Sequence, residues 1–96
     1  MGARRDLVET KRGEICAVVH RHRGRSVAVF GSVARGDESP TSDIDFLVEF
    51  EPGSSLFDLL HLAEELESLL GVPVDVVSAG GLKDRDDHIR REAVPL

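Results

Sequence analysis

Between residues 4 and 23, apolar side chains recur at Leu7, Val8, Ile15, Val18 and Val19, the spacing of a single buried helical stripe. Gly24 is placed to end that helix. Ser26-Val-Ala-Val-Phe30 is a short run rich in β-branched residues, stopped by Gly31, and predicts a buried strand. Residues 32–35 have room for one or two helical turns before Gly36, and residues 37–42 have the composition of a loop. From residue 43 to residue 50 the pattern alternates. Ile44, Phe46, Val48 and Phe50 face one way, and Asp43, Asp45, Leu47 and Glu49 the other. Pro52 and Gly53 break that strand.

Ser55 followed by Asp58 resembles a capping box, and the helix behind it is expected over residues 56–70. Its inward side chains are Leu59, Leu62, Ala63, Leu66, Leu69 and Leu70, and Gly71 is its stop. Val72-Pro-Val-Asp-Val-Val77 reads as a third strand, with Pro73 at its start, where a missing N–H is tolerated. A polar helix is expected over residues 82–93. The order α-β-(short α)-β-α-β-α predicts an α/β fold: a small mixed sheet of about three strands with helices packed on it. Residues 1–96 form one domain, without repeats. With four Phe and no Trp or Tyr, the core rests on Val, Leu, Ile and Ala.

Charge changes the picture more than composition does. Residues 1–36 carry eight Lys and Arg against three acids; residues 37–75 carry eleven acids and no base. An acidic middle argues against direct nucleic-acid binding, which needs a cationic field, and favours divalent cations. The basic first third suits a solvated helix face, an acidic partner or a triphosphate. The lone Cys16 has no partner for a disulfide or a zinc site and reads as core filler. None of His20, His22, His61 and His88 has the spacing of a zinc or histidine-based catalytic site. No apolar run is long enough to span a membrane and no secretory segment opens the chain, so a reducing cytoplasm is the expected setting.

The chemistry concentrates between Gly31 and Asp75. Asp43 and Asp45 lie two apart on a strand and so share a face, about 7 Å apart along the backbone. Two such carboxylates suit Mg²⁺, which is held by one or two carboxylates together with substrate phosphates. Asp75, set among valines, is costly to bury unpaired. If its strand neighbours the residue 43–50 strand, it completes the set and can accept a proton from an attacking hydroxyl. Gly31 and Ser32 follow a strand and open a helical turn, so their backbone N–H groups and the Ser hydroxyl could meet a phosphate. They form no P-loop, since no Gly-Lys-Ser/Thr follows. Arg35 could steady a phosphate or pair with a carboxylate across the loop, and Ser42 orients the strand start.

Gly31-Ser32, ten intervening residues, Asp43-Ile44-Asp45 and then Asp75 on a later strand resemble the polymerase-beta-type nucleotidyltransferase superfamily. The phrase Gly-Ser-Val-Ala-Arg-Gly…Ser-Asp-Ile-Asp-Phe-Leu-Val is most similar to its minimal nucleotidyltransferase (MNT) branch, and the resemblance covers essentially the whole chain. It implies the fold of that superfamily and roles for individual residues. Gly31 and Ser32 would bind the triphosphate of ATP, with Arg35 as an added candidate. Asp43, Asp45 and Asp75 would be the catalytic carboxylates and hold two Mg²⁺ ions. MNT proteins are typically antitoxins of two-component toxin–antitoxin pairs, and the partner is a helical HEPN-domain toxin. The expected activity is transfer of AMP from ATP to a tyrosine hydroxyl of that toxin. Two other readings stay open: an antitoxin that neutralises by binding alone, and a transferase acting on RNA ends or a small-molecule hydroxyl.

Overall fold

The alternation of residues 43–50 becomes strand β2 (Ile44–Phe50), in which Ile44, Phe46 and Val48 are fully enclosed. The structure, a computed structural model, describes residues 3–37, 39, 41–82 and 86–96. Strand β1 (Gly24–Phe30) pairs antiparallel with β2, setting Val27 opposite Val48 and Val29 opposite Phe46. Strand β3 (Val74–Ser78) lies on the other side of β2 and runs parallel to it, with Val74 beside Ile44 and Val76 beside Phe46. A parallel pair needs a crossover, which helix α4 (Leu56–Leu70) supplies. The mixed sheet therefore has the order β3-β2-β1-β4, where β4 (Val94–Pro95) closes the outer edge of β1.

Helices α2 (Arg12–Arg21) and α4 cover one face of the sheet. Ile15, Val18 and Val19 from α2 meet Leu62, Leu66 and Leu70 from α4 over the apolar face of the strands. The capping arrangement at Ser55 is present: its N–H donates to Asp58 Oδ2 at 2.9 Å. Gly71, at φ 71°, ends the same helix in the left-handed conformation. The opposite face of the sheet carries Phe30, Ala28 and Ser26 of β1, Asp45, Leu47 and Glu49 of β2, and Asp75 and Val77 of β3. It is only partly covered, by the chain after β3. At the far end of α4 from Gly71, Leu56, Phe57 and Leu60 stand exposed.

Four features differ from the sequence reading. The helix expected over residues 4–23 is bent into α1 (Ala3–Thr10) and α2. Polar Lys11 and Arg12 fall where the stripe would continue. The Lys11 N–H still reaches Leu7 O at 3.0 Å and its carbonyl still accepts from Ile15, so the backbone turns without letting go. Secondly, Gly24 does not terminate α2. Arg23 takes the left-handed position, φ 66°, and Gly24 opens β1 because a side chain there would collide with Val19. Thirdly, the polar segment after β3 holds a 3-10 turn (Ala79–Gly81) and a short helix α5 (Asp87–Glu92) in place of one helix over residues 82–93, of which 83–85 lie outside the described residues. Fourthly, the sheet has four strands among the described residues. The two residues of β4 are too few to show any periodicity, and Leu96 N–H secures them by bonding Val27 O at 3.0 Å.

Strand ends shift by one or two residues; the fold class stands. Among the described residues no helix is long and apolar enough to cross a membrane. Cys16 is half-buried against the core, and His20, His61 and His88 are exposed.

A polar clasp fastens α2 to α4. Glu65 accepts from His22 Nε2 at 2.8 Å and from the Arg21 guanidinium. The His22 hydrogen bond foremost holds the Glu65 carboxyl below its ordinary range against desolvation, and the charge of Arg21 adds to it. A carboxylate depressed by folding adds stability above its unfolded pKa and loses it as pH falls through the folded one. Glu65→Gln is therefore expected to lower the melting temperature at neutral pH, and the gap to wild type to close below the usual carboxylate range. Thermal scans from pH 7 to pH 3 check this; a gap that persists unchanged in acid contradicts it.

Candidate active site

Three connections meet at one end of the sheet: the exit of β1 and the entries to β2 and β3. Helix α3 (Gly31–Arg35) starts directly from β1. In the pairing of β1 with β2, Phe30 stands opposite Asp45, and in the pairing of β2 with β3, Asp45 stands beside Asp75. Parallel neighbours lie about 4.8 Å apart and project to the same side, so the two carboxylates share one patch of the partly open face. Asp43 lies one residue before β2 and is exposed.

Asp45 is half-buried. Burial first, then the charges of Asp75 and Asp43, push its carboxyl above the ordinary range, and Arg35 opposes the shift. The group is thus crowded by its own kind. As they stand, the three carboxylates are not drawn together: among the described residues no three His, Cys, Asp or Glu side chains converge closely enough to hold an ion. The donor chemistry nevertheless fits a hard divalent cation, since all three groups offer carboxylate oxygens and a cation would relieve the repulsion that raises Asp45.

Gly31 has a positive φ of 75°, and any β-carbon built on it would run into Asp45 Oδ2. Both the conformation and the space require glycine there. The backbone at residue 31 is consequently laid directly against the carboxylate. Ser32 is half-buried in the next position, and its carbonyl accepts from the Asp37 N–H at 3.0 Å. One turn on, Arg35 is engaged on two sides: Nε with Asp37 at 3.2 Å, and Nη1 with Glu92 of α5 at 2.7 Å. These bonds, Glu92 foremost, raise its pKa and keep it charged.

The loop between α3 and β2 is held from both sides. Ser42 Oγ accepts from the Ser39 N–H at 2.7 Å. From α1, Arg4 Nε donates to Ser42 O at 3.1 Å and Arg5 Nη1 to Ala34 O at 3.5 Å. The structure thus brings Gly31, Asp45 and Asp75 into direct neighbourhood, sets Asp43 and Ser32 beside them, and ties Arg35 to other carboxylates. Sequence reasoning missed Glu92. It lies 57 residues from its partner, and no local pattern signals such a contact.

The model of the nucleotidyltransferase domain matches residues 14–94. The chain belongs to that family. The match takes in every candidate site residue and strands β1 to β3, ends at the first residue of β4, and leaves α1 outside. The nucleotidyltransferase is 46% identical over 92 residues to "Putative protein adenylyltransferase MJ0435" of Methanocaldococcus jannaschii, covering 95% of this chain and 98% of the relative. Among solved structures it superimposes on a "putative minimal nucleotidyltransferase" with a TM-score of 0.86 and 44% identity, over 96% of this chain and 95% of that one. It shares the fold of a chain from a complex of the tri-AMPylated Shewanella oneidensis HEPN toxin with MNT antitoxin. There the TM-score is 0.69 at 18% identity, over 91% of this chain and 69% of the other. At that identity the likeness is one of fold alone.

The glycine constraint in this nucleotidyltransferase is testable by pairing two positions. Gly36 also has a positive φ, 80°, but open space around it. Gly36→Ala is expected to cost the conformational penalty alone, about 1–2 kcal/mol. Gly31→Ala is expected to cost more, because Asp45 must also move. Urea unfolding measures both; equal losses at the two positions would count against the contact.

Proposed function

We propose that this nucleotidyltransferase is an antitoxin that transfers AMP from ATP to a tyrosine hydroxyl of a partner HEPN toxin and so neutralises it. The observation that carries the reading is the Asp45–Asp75 neighbour pair with the Gly31 backbone against it, a polar centre at the end of a sheet whose other face is sealed. The relative named as a protein adenylyltransferase supports the AMP-transfer part, and the Shewanella complex supports a HEPN partner. The 96 residues contain no tyrosine, so a tyrosine acceptor comes from outside them.

In this reading the Gly31 and Ser32 backbone and the Ser32 hydroxyl receive the triphosphate. Arg35 offers its guanidinium to the same phosphates in exchange for Asp37 and Glu92. Asp43, Asp45 and Asp75 would hold two Mg²⁺ ions. When bound, that metal lowers the pKa of the acceptor hydroxyl and offsets charge on the leaving pyrophosphate. The hydroxyl oxygen attacks the α-phosphorus, the bond from that phosphorus to the bridging oxygen breaks, and pyrophosphate leaves with the electron pair. The hydroxyl proton passes to a carboxylate, Asp75 being an exposed one, and from there to water. Most of the rate then comes from placement and charge stabilisation.

The test is intact-mass and peptide mass spectrometry of a co-expressed HEPN-domain partner. The partner is expected to gain one or more AMP masses on a tyrosine. The Asp43→Asn, Asp45→Asn double variant should lower that transfer by at least about a hundred-fold while still binding the partner. Wild-type protein that leaves a folded, bound partner unmodified overturns the reading. A double variant that still neutralises the toxin in cells transfers the function to binding alone.

A further inference from the structure

The sheet face that bears Asp45 and Asp75 does not end with them. Two residues along β2 lies Leu47, and in register with it Ala28; two further on lie Glu49 and Ser26. Together with Ala79, Arg90 and Pro95 these residues line an open trough of about 290 Å³, mostly apolar along its floor. A second trough of about 390 Å³ shares Glu49, Ala79 and Arg90 with it and continues outward between residues 49–54 and 78–80. At its outer end residues 51–54 lead into α4, which opens with the exposed Leu56, Phe57 and Leu60. None of these residues belongs to the carboxylate and glycine set already described.

We infer that this continuous trough is the seat of the acceptor polypeptide, and that it favours a cationic segment. The inference rests on the reading of the chain as a protein adenylyltransferase. Three observations favour a polypeptide over the nucleotide base. The two troughs, about 290 and 390 Å³ with shared lining, together offer more room than one nucleoside needs. They lead to an exposed apolar turn of α4, the kind of surface that protein partners cover. Among the described residues their rim carries the exposed carboxylates Glu49 and Glu51, with Arg90 donating to the Ala79 carbonyl at 2.9 Å and Arg23 to the Gly53 carbonyl at 3.3 Å. Glu49 follows Asp45 on the same face of β2, so the negative potential continues from the reacting centre into the trough.

Geometry adds a requirement. The step from Leu47 to Asp45 is about 7 Å along the strand, close to the reach of a phenol side chain. A tyrosine ring resting on Ala28 and Leu47 would bring its hydroxyl to the Asp45–Asp75 pair. Serine or threonine in the same seat would fall short.

The experiment is a ¹⁵N-labelled NMR titration with synthetic tyrosine peptides flanked by Lys/Arg, by Asp/Glu or by neutral residues, in Mg²⁺ and a non-hydrolysable ATP analogue. Glu49→Lys and Ser26→Trp are carried alongside; both positions are exposed on the sheet. The cationic peptide is expected to shift the amides of Ser26, Ala28, Leu47 and Glu49 and to bind more weakly as salt rises. Glu49→Lys should weaken it by about five-fold, leaving affinity for the ATP analogue unchanged. Shifts at those amides from the nucleotide alone would assign the trough to the base and overturn the inference. So would peptide shifts confined elsewhere, no peptide binding at all, or equal binding of the three peptides. A protein that binds the cationic peptide in the trough but transfers no AMP to a HEPN partner upholds the seat and refutes the function. One that transfers AMP with Glu49→Lys and Ser26→Trp both unaffected does the reverse.

Discussion

The parallel register of β2 and β3 is the constraint on which the rest depends. It sets Asp45 beside Asp75 and, through the same pairing, Ile44 beside Val74 and Phe46 beside Val76. One register decision therefore seals the core on one face and gathers negative charge on the other. A slip by a single residue would exchange the two, putting carboxylates into the apolar layer under α4. The stability of the core is what holds like charges together at the site, and Asp45 records the cost in its raised pKa. Strain of this kind is tolerable in a small domain only where the remaining elements agree closely.

That agreement is visible in how the connections are built. Helix α4 is both the crossover that parallel pairing needs and the largest apolar contributor from outside the sheet. Gly31 lets the chain turn out of β1 without displacing Asp45, so the first strand can end where the second begins its chemistry. The partly covered face receives the last segment of the chain, which places Glu92 on Arg35 and Arg90 on Ala79. Sequence neighbours and spatial neighbours thus differ most around the site.

That difference explains which parts were readable beforehand. Strand β2 and helix α4 carried strong periodicity, and the signals at Ser55, Asp58 and Gly71 bounded the helix to the residue. The Gly31-Ser32 and Asp43–Asp45 spacing marked the candidate site in the sequence. Asp75 was readable only on the condition that β3 neighbours β2, since register is a property of two strands and not of one. The bend at Lys11 was hidden because a polar pair in a helical stripe is compatible with a straight helix too. Gly24 misled for a physical reason: glycine serves left-handed turns and tight contacts equally, and here Arg23 took the turn. The two-residue strand β4 and the contacts of Arg35 depend on groups far apart in the chain, which local patterns do not encode.

The bend at Lys11 has a consequence for placement. By turning there, α1 reaches the loop between α3 and β2 and grips it at both ends, Arg5 on the Ala34 carbonyl and Arg4 on that of Ser42. The helix lies outside the span matched by the nucleotidyltransferase family. It acts on the connection between α3 and β2. Its two arginines therefore fix where that connection leaves α3 and where it enters β2.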